Sequence, residues 1–172
     1  MRERSVWRGR GLVAAAGVVA LLAIAGVPAA AGAASSLASG SVTEIVPPGP
    51  GSDGNPWNIT FDLNRKPVSS SVDVKSTYAT FSFNASRCSG SFTDPKLKGT
   101  TVYGVGQITS AYSGNSAFNT TYYAFSIHKS SSGAADYSRV WGVGAYWSIY
   151  CSIPTLLSPT YKVSAGSVTW GV

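Results

Sequence analysis

The sequence predicts an all-β protein: a single antiparallel β-sandwich (or barrel) of about seven to nine strands, behind a secretory signal peptide. Three observations carry this expectation. Trp57, Ile59, Phe61 and Leu63 alternate with Asn58, Thr60 and Asp62, the period of a half-buried strand. Turn residues recur every few positions, with 19 Gly and 9 Pro in 172 residues. Beyond the first segment, apolar residues never recur at helical spacing over three turns. Charged residues make up only 12% and hydrophobic residues 44%, which excludes a charge-rich disordered chain.

Residues 1–33 read as the signal peptide. Arg2, Arg4, Arg8 and Arg10 precede an uncharged run from Gly11 to Ala34. Pro28 interrupts that run, and Ala31-Gly32-Ala33 supplies a small-residue cleavage site. An uncleaved membrane anchor is the competing reading, because the run is long enough to span a bilayer. The Pro, the Ala/Gly-rich second half and the cleavage site favour removal. The chain closes on Trp170-Gly171-Val172 without an apolar tail, so free secretion is the expectation, with no membrane association after cleavage. Cleavage would lower the formal charge from +6 to about +3. The remaining basic residues are scattered, which argues against nucleic acid as a partner. An Ala/Gly-heavy signal peptide fits a bacterial source.

Residues 34–56 read as an extended Ser/Pro/Gly-rich leader with a short strand at Val42–Val46. The β domain is expected over 57–172. After the strand at Trp57, Asn64 to Pro67 supplies a turn. Val68 to Phe83 is β-rich, but its apolar phase changes, which a bulge or turn near Lys75-Ser76 would reconcile. Further strands are expected at Cys88–Phe92, Thr100–Tyr112, Phe118–His128, Ser138–Ile153 and Tyr161–Trp170. Cys88 and Cys151 read as a disulfide in an exported protein. It would close a loop of 63 positions.

Val102-Tyr103-Gly104-Val105-Gly106 is echoed by Val140-Trp141-Gly142-Val143-Gly144. The echo suggests two strands in one environment. On the later strand, Trp141, Val143, Ala145, Trp147, Ile149, Cys151 and Ile153 would face the core. Gly142, Gly144, Tyr146, Ser148 and Tyr150 would form the other face, matched by Ser110 and Tyr112. Tyr112, Tyr146 and Tyr150 with Ser110 and Ser148 are therefore the candidate ligand-binding residues, as a platform on which sugar rings stack. The competing reading is that these rings cover glycines within a sheet.

Catalytic candidates are sparse. His128 is the only imidazole, and no G-x-S-x-G elbow accompanies it. Asp62 and Asp73 lie on neighbouring strand candidates and are the one plausible carboxylate pair. One His and a disulfide leave no zinc set, and Asp53-Gly54-Asn55 reads as an Asx turn. No cofactor and no metal is expected. Asn58, Asn84 and Asn119 head N-x-S/T triplets, which matter only in a glycosylating host. The reading that best fits is a secreted, non-enzymatic binding module for an extracellular glycan, cell-wall polymer or cell-surface partner. The alternatives are a small secreted hydrolase and a self-assembling structural or toxin-like β protein.

Overall fold

The computed structural model describes residues 36–49, 52–116 and 119–172. The signal peptide lies outside the described residues. Ten strands form one antiparallel sheet in the order β5-β6-β8-β9-β10-β1-β2-β3-β4-β7. They are β1 (Ser36–Ile45), β2 (Pro56–Asn64), β3 (Ser71–Lys75), β4 (Ala79–Asn84), β5 (Cys88–Asp94), β6 (Gly99–Gln107), β7 (Ser113–Gly114), β8 (Tyr122–Lys129), β9 (Ala135–Gly142) and β10 (Tyr161–Trp170). The all-β expectation is met, with a higher strand count than seven to nine.

Much of the segment read as a leader is strand. β1 starts at Ser36 and lies between β2 and β10. Leu37, Ala38 and Val42 are buried on it. Its second half overlaps the short strand expected at Val42–Val46; Ser36, Ser39 and Ser41 hid the first half from a hydrophobicity reading.

The apolar stripe of β2 faces that of β8 across the core. Phe61 packs on Phe125 with ring centroids 4.9 Å apart, and Phe81 of β4 stacks on Tyr123 at 4.3 Å. Truncating such a ring costs on the order of 3–5 kcal/mol. The phase change within Val68–Phe83 is a reverse turn. Val72 pairs with Phe83 and Val74 with Phe81 once the chain turns at Ser76-Thr77-Tyr78. The Ser76 hydroxyl oxygen accepts the Tyr78 and Ala79 N–H groups and fixes that turn.

The strand expected at Ser138–Ile153 ends at Gly142. Gly144 takes a left-handed φ of 53°, and the chain enters a 3-10 turn at Gly144–Tyr146. A one-and-a-half-turn helix, α1 (Trp147–Ser152), and a second 3-10 turn at Pro154–Leu157 follow. Trp147, Tyr150 and Cys151, at i, i+3 and i+4, pack with Val143 and Leu157 on the outer face of β5, β6 and β8. Ile149 and Ile153, expected in the core, are half exposed. From Trp141 to Ile153 every residue except Gly142, Gly144, Ser148 and Ser152 is apolar or aromatic, so periods of 2 and 3.6 read equally well there. The expected disulfide is present: Cys88 at the start of β5 bonds Cys151 and pins this helical lobe. Arg87 adds a second tie, lying over both the Tyr122 and Trp147 rings.

Nor do the two echoed segments share an environment. Gly104 and Gly106 lie on the core side of β6, where the chain passes at contact distance. A Cβ on Gly106 would sit 1.6 Å from the Asn84 carbonyl oxygen. Gly142 and Gly144 instead lead out of the sheet.

Candidate functional site

The sheet changes partners along β10. Tyr161 and Lys162 pair with Ser138 and Tyr137 of β9, whereas from Val163 onward β10 pairs with β1. Because β9 and β10 run antiparallel, the β9 edge beyond Ser138 lies past the start of β10 at Tyr161, and no β10 residue pairs with it. Glu44 fills that corner. It sits at a register shift in β1, opposite both Trp57 and Val163. Its carboxylate accepts the Ser138 hydroxyl at 2.5 Å and the Val140 backbone N–H. Side-chain bonds thus stand in for missing backbone pairing. Burial raises the Glu44 carboxyl to about 7, against the opposing pull of these two hydrogen bonds and of the Arg139 charge. Its Oε1 is buried without a hydrogen-bond partner.

Above this corner the missing ladder leaves an open cleft of about 390 Å³. Its walls include Pro47, Pro48, Trp57, Arg139, Trp141 and Tyr161. Each wall has a local cause. Pro47 and Pro48 lack N–H groups, so pairing of β1 stops at Ile45 and the chain turns away. Gly49 and Ser52 exchange backbone hydrogen bonds, and the Ser52 hydroxyl donates to the Val46 carbonyl, pinning this loop. Trp141 and Arg139 alternate with Val140 on β9, and the Arg139 guanidinium stacks 4.5 Å over the Trp141 ring. Tyr150 of α1 supports Trp141 edge-on at 6.0 Å.

No family model matches this chain, and no curated protein or solved structure matches it.

The five residues expected as a stacking platform lie in separate places. The Ser110 hydroxyl accepts the Ser82 N–H beside β4. Tyr112 packs on Phe81 and donates its hydroxyl to the Asn115 carbonyl. Burial, with Tyr123 and Tyr78 nearby, pushes Tyr112 up to about 12. Tyr146 and Ser148 are exposed on the helical lobe, Tyr146 at 70%. Tyr150 alone reaches the cleft, indirectly, through Trp141. Reading 144–153 as a strand had aligned these residues; the helical turn disperses them.

His128 is buried at 1% exposure. Its Nδ1 lies 2.6 Å from Oδ1 of Asp136, and its buried Nε2 has no partner. Gly99 leaves room for the ring, since a Cβ there would lie 2.5 Å from Nε2. Ser126 shares the β8 face, but its hydroxyl has no hydrogen-bond partner, so no Ser–His contact forms. Asp62 pairs in register with Ser71, and Asp73 with Thr60. Asn64 donates to Asp62, and Ser82 to Asp73. Asp73 and Ser110 border a second cleft of about 450 Å³, in whose walls Asp62 has no part. Asp53 forms the expected Asx turn with the Asn55 N–H. The Thr77 hydroxyl, followed by Asn55, holds its carboxyl below the usual range.

Among the described residues, no group of three His, Cys, Asp or Glu could hold a metal, and no helix is long and apolar enough to cross a membrane. Sequence reasoning missed the cleft because it assigned Trp141 to the core and treated Arg139 as one of several scattered cations. One signal was present: Arg139 is the last charge before Lys162, and it stands two residues from a Trp.

Proposed function

We propose that this chain is a secreted, non-enzymatic β-sandwich that binds an extracellular glycan in the cleft between β9, β10 and the Pro47-Pro48 loop. The observation that carries the reading is that Trp141 and Tyr161 both line one open cleft of about 390 Å³. Aromatic faces offer a sugar's C–H surface a stacking partner, and backbone edges left unpaired offer its hydroxyls hydrogen bonds. The packing of β2 and β4 against β8 supports two facing layers joined through β10. The disulfide is compatible with an oxidising compartment outside the cell.

Affinity electrophoresis of the purified protein through gels containing soluble polysaccharides tests this. Retardation of the native protein, weakened at least about tenfold by Trp141→Ala and by Tyr161→Ala, is the expected result. Tyr146→Ala, on the exposed lobe, is expected to leave retardation unchanged. Retardation abolished by Tyr146→Ala but not by Trp141→Ala would move the site to the lobe.

A further inference from the structure

Arg139 is the only charged residue lining the cleft, and it makes no hydrogen bond or salt bridge among the described residues. Its guanidinium is held by stacking on Trp141, and its Nε is buried without an acceptor. The nearest carboxylate is no partner. Glu44 turns Oε2 to the Ser138 hydroxyl, leaves Oε1 without a hydrogen-bond partner, and acts on Arg139 only through its field. A guanidinium presents five donors in a planar fork, and half-buried donors of this kind are costly to leave unmet. The stacking fixes the plane of that fork in advance, so little freedom is lost when an acceptor arrives. No acid in the cleft wall competes for it.

We infer that the cleft takes an acidic sugar or sugar-alcohol residue, with the oxyanion accepted by the Arg139 guanidinium and the C–H surface of its carbon skeleton placed among Trp141 and Tyr161. This rests on the glycan reading above and names the class of sugar that the same cleft selects. A carboxylate on a uronic acid and a phosphodiester on a polyol polymer share the needed chemistry: two oxygens able to meet the fork side by side.

The test measures binding of the full secreted chain to polygalacturonate, to poly(glycerol phosphate) and to a neutral soluble glucan. The native protein, Arg139→Gln, Arg139→Lys and the distant surface variant Lys66→Gln are compared at two salt concentrations. The native protein is expected to favour an anionic polymer over the neutral one by about 10- to 100-fold, the range of one charge-assisted pair. Arg139→Gln should remove that preference, Arg139→Lys should restore part of it, and Lys66→Gln should leave it intact. Near-UV circular dichroism confirms folding of each variant; should Arg139→Gln not fold, the partial loss in Arg139→Lys decides. Whichever anionic polymer is preferred identifies the oxyanion as carboxylate or phosphodiester. Equal binding of neutral and anionic polymers, unchanged by Arg139→Gln, would overturn the acidic preference and leave the glycan reading standing. Equal losses in Arg139→Gln and Lys66→Gln would reduce the preference to bulk charge and overturn it too. Failure of the folded native protein to bind any of the three polymers would remove both readings.

Discussion

The Ser138 hydroxyl of β9 donates to Oε2 of Glu44 on β1, 2.5 Å away, at the corner where the β9–β10 ladder ends and β1 shifts register. This contact and the Val140 N–H bond are what join β1 to β9 there. The corner therefore depends on a buried carboxyl whose ionisation burial opposes.

Stability should fall as pH rises, through Glu44. Its carboxyl titrates at about 7 in the folded chain, against a usual value of 4.5. The folded state thus holds its proton more tightly than the unfolded state. The resulting stabilisation is fully present below pH 4.5 and is lost as pH rises to and through about 7. The gap corresponds to roughly 3 kcal/mol. Urea unfolding of the native protein and of Glu44→Gln over this range checks it. The native midpoint should drop as pH rises, while the Gln variant should show no such slope and be the more stable of the two above neutrality. Parallel slopes in both proteins would remove Glu44 as the cause.

Reduction should release the helical lobe before the sheet. The Cys88–Cys151 bond closes a loop of 63 positions, for which chain entropy gives about 4 kcal/mol. Cys88→Ser/Cys151→Ser is expected to lower global stability by 2–4 kcal/mol in denaturant titrations. Hydrogen exchange should show amides of α1 opening first, because few buried contacts other than Trp147, Tyr150, Val143 and Leu157 hold the lobe. Trp147 fluorescence should shift to longer wavelength in the same variant.

Gly106→Ala should not fold to the native sheet. A methyl group there would overlap the Asn84 carbonyl oxygen at 1.6 Å, and this atom and the Ser86 nitrogen, 2.7 Å away, are backbone that cannot rotate away. Overpacking of this severity costs at least about 3 kcal/mol. Gly133→Ala serves as a control: its position is open, with no heavy atom within 4 Å of the added carbon. Its positive φ of 85° predicts a loss of only about 1 kcal/mol. Thermal melts of the two variants separate crowding from backbone strain.

The strand pattern was legible in the sequence wherever one face is apolar and the other polar. Trp57 to Leu63 and Tyr161 to Trp170 are strands at those positions, and the phase change in Val68–Phe83 announced a turn. The disulfide was legible from two cysteines in a chain with an export-type start. The helical lobe was not, because Trp141 to Ile153 satisfies the strand period and the helix period at once. The cleft was hidden for a different reason. It exists because β10 begins only at Tyr161, so the β9 edge beyond Ser138 has no β10 partner, and no local pattern reports how far two distant strands will pair. The burial of His128 was not legible either, because nothing nearby in sequence reveals that Gly99, on another strand, leaves space for its ring.

The sharing of β10 between β9 and β1 also bears on when this chain can finish folding. β1 is the first strand described and β10 the last, yet they are adjacent in the middle of the sheet. Every hairpin from β2 to β9 can form as its residues become available, but the two halves cannot be joined until β10 is present. The closing step brings together segments more than a hundred residues apart, a high-contact-order event that is slow relative to hairpin formation. Before it, β1 and β9 expose unpaired edges, and the Glu44 carboxyl stays in water, where it ionises in the ordinary range. β10 thus acts as the fastener, withholding the joined sheet until synthesis of the chain has reached Trp170.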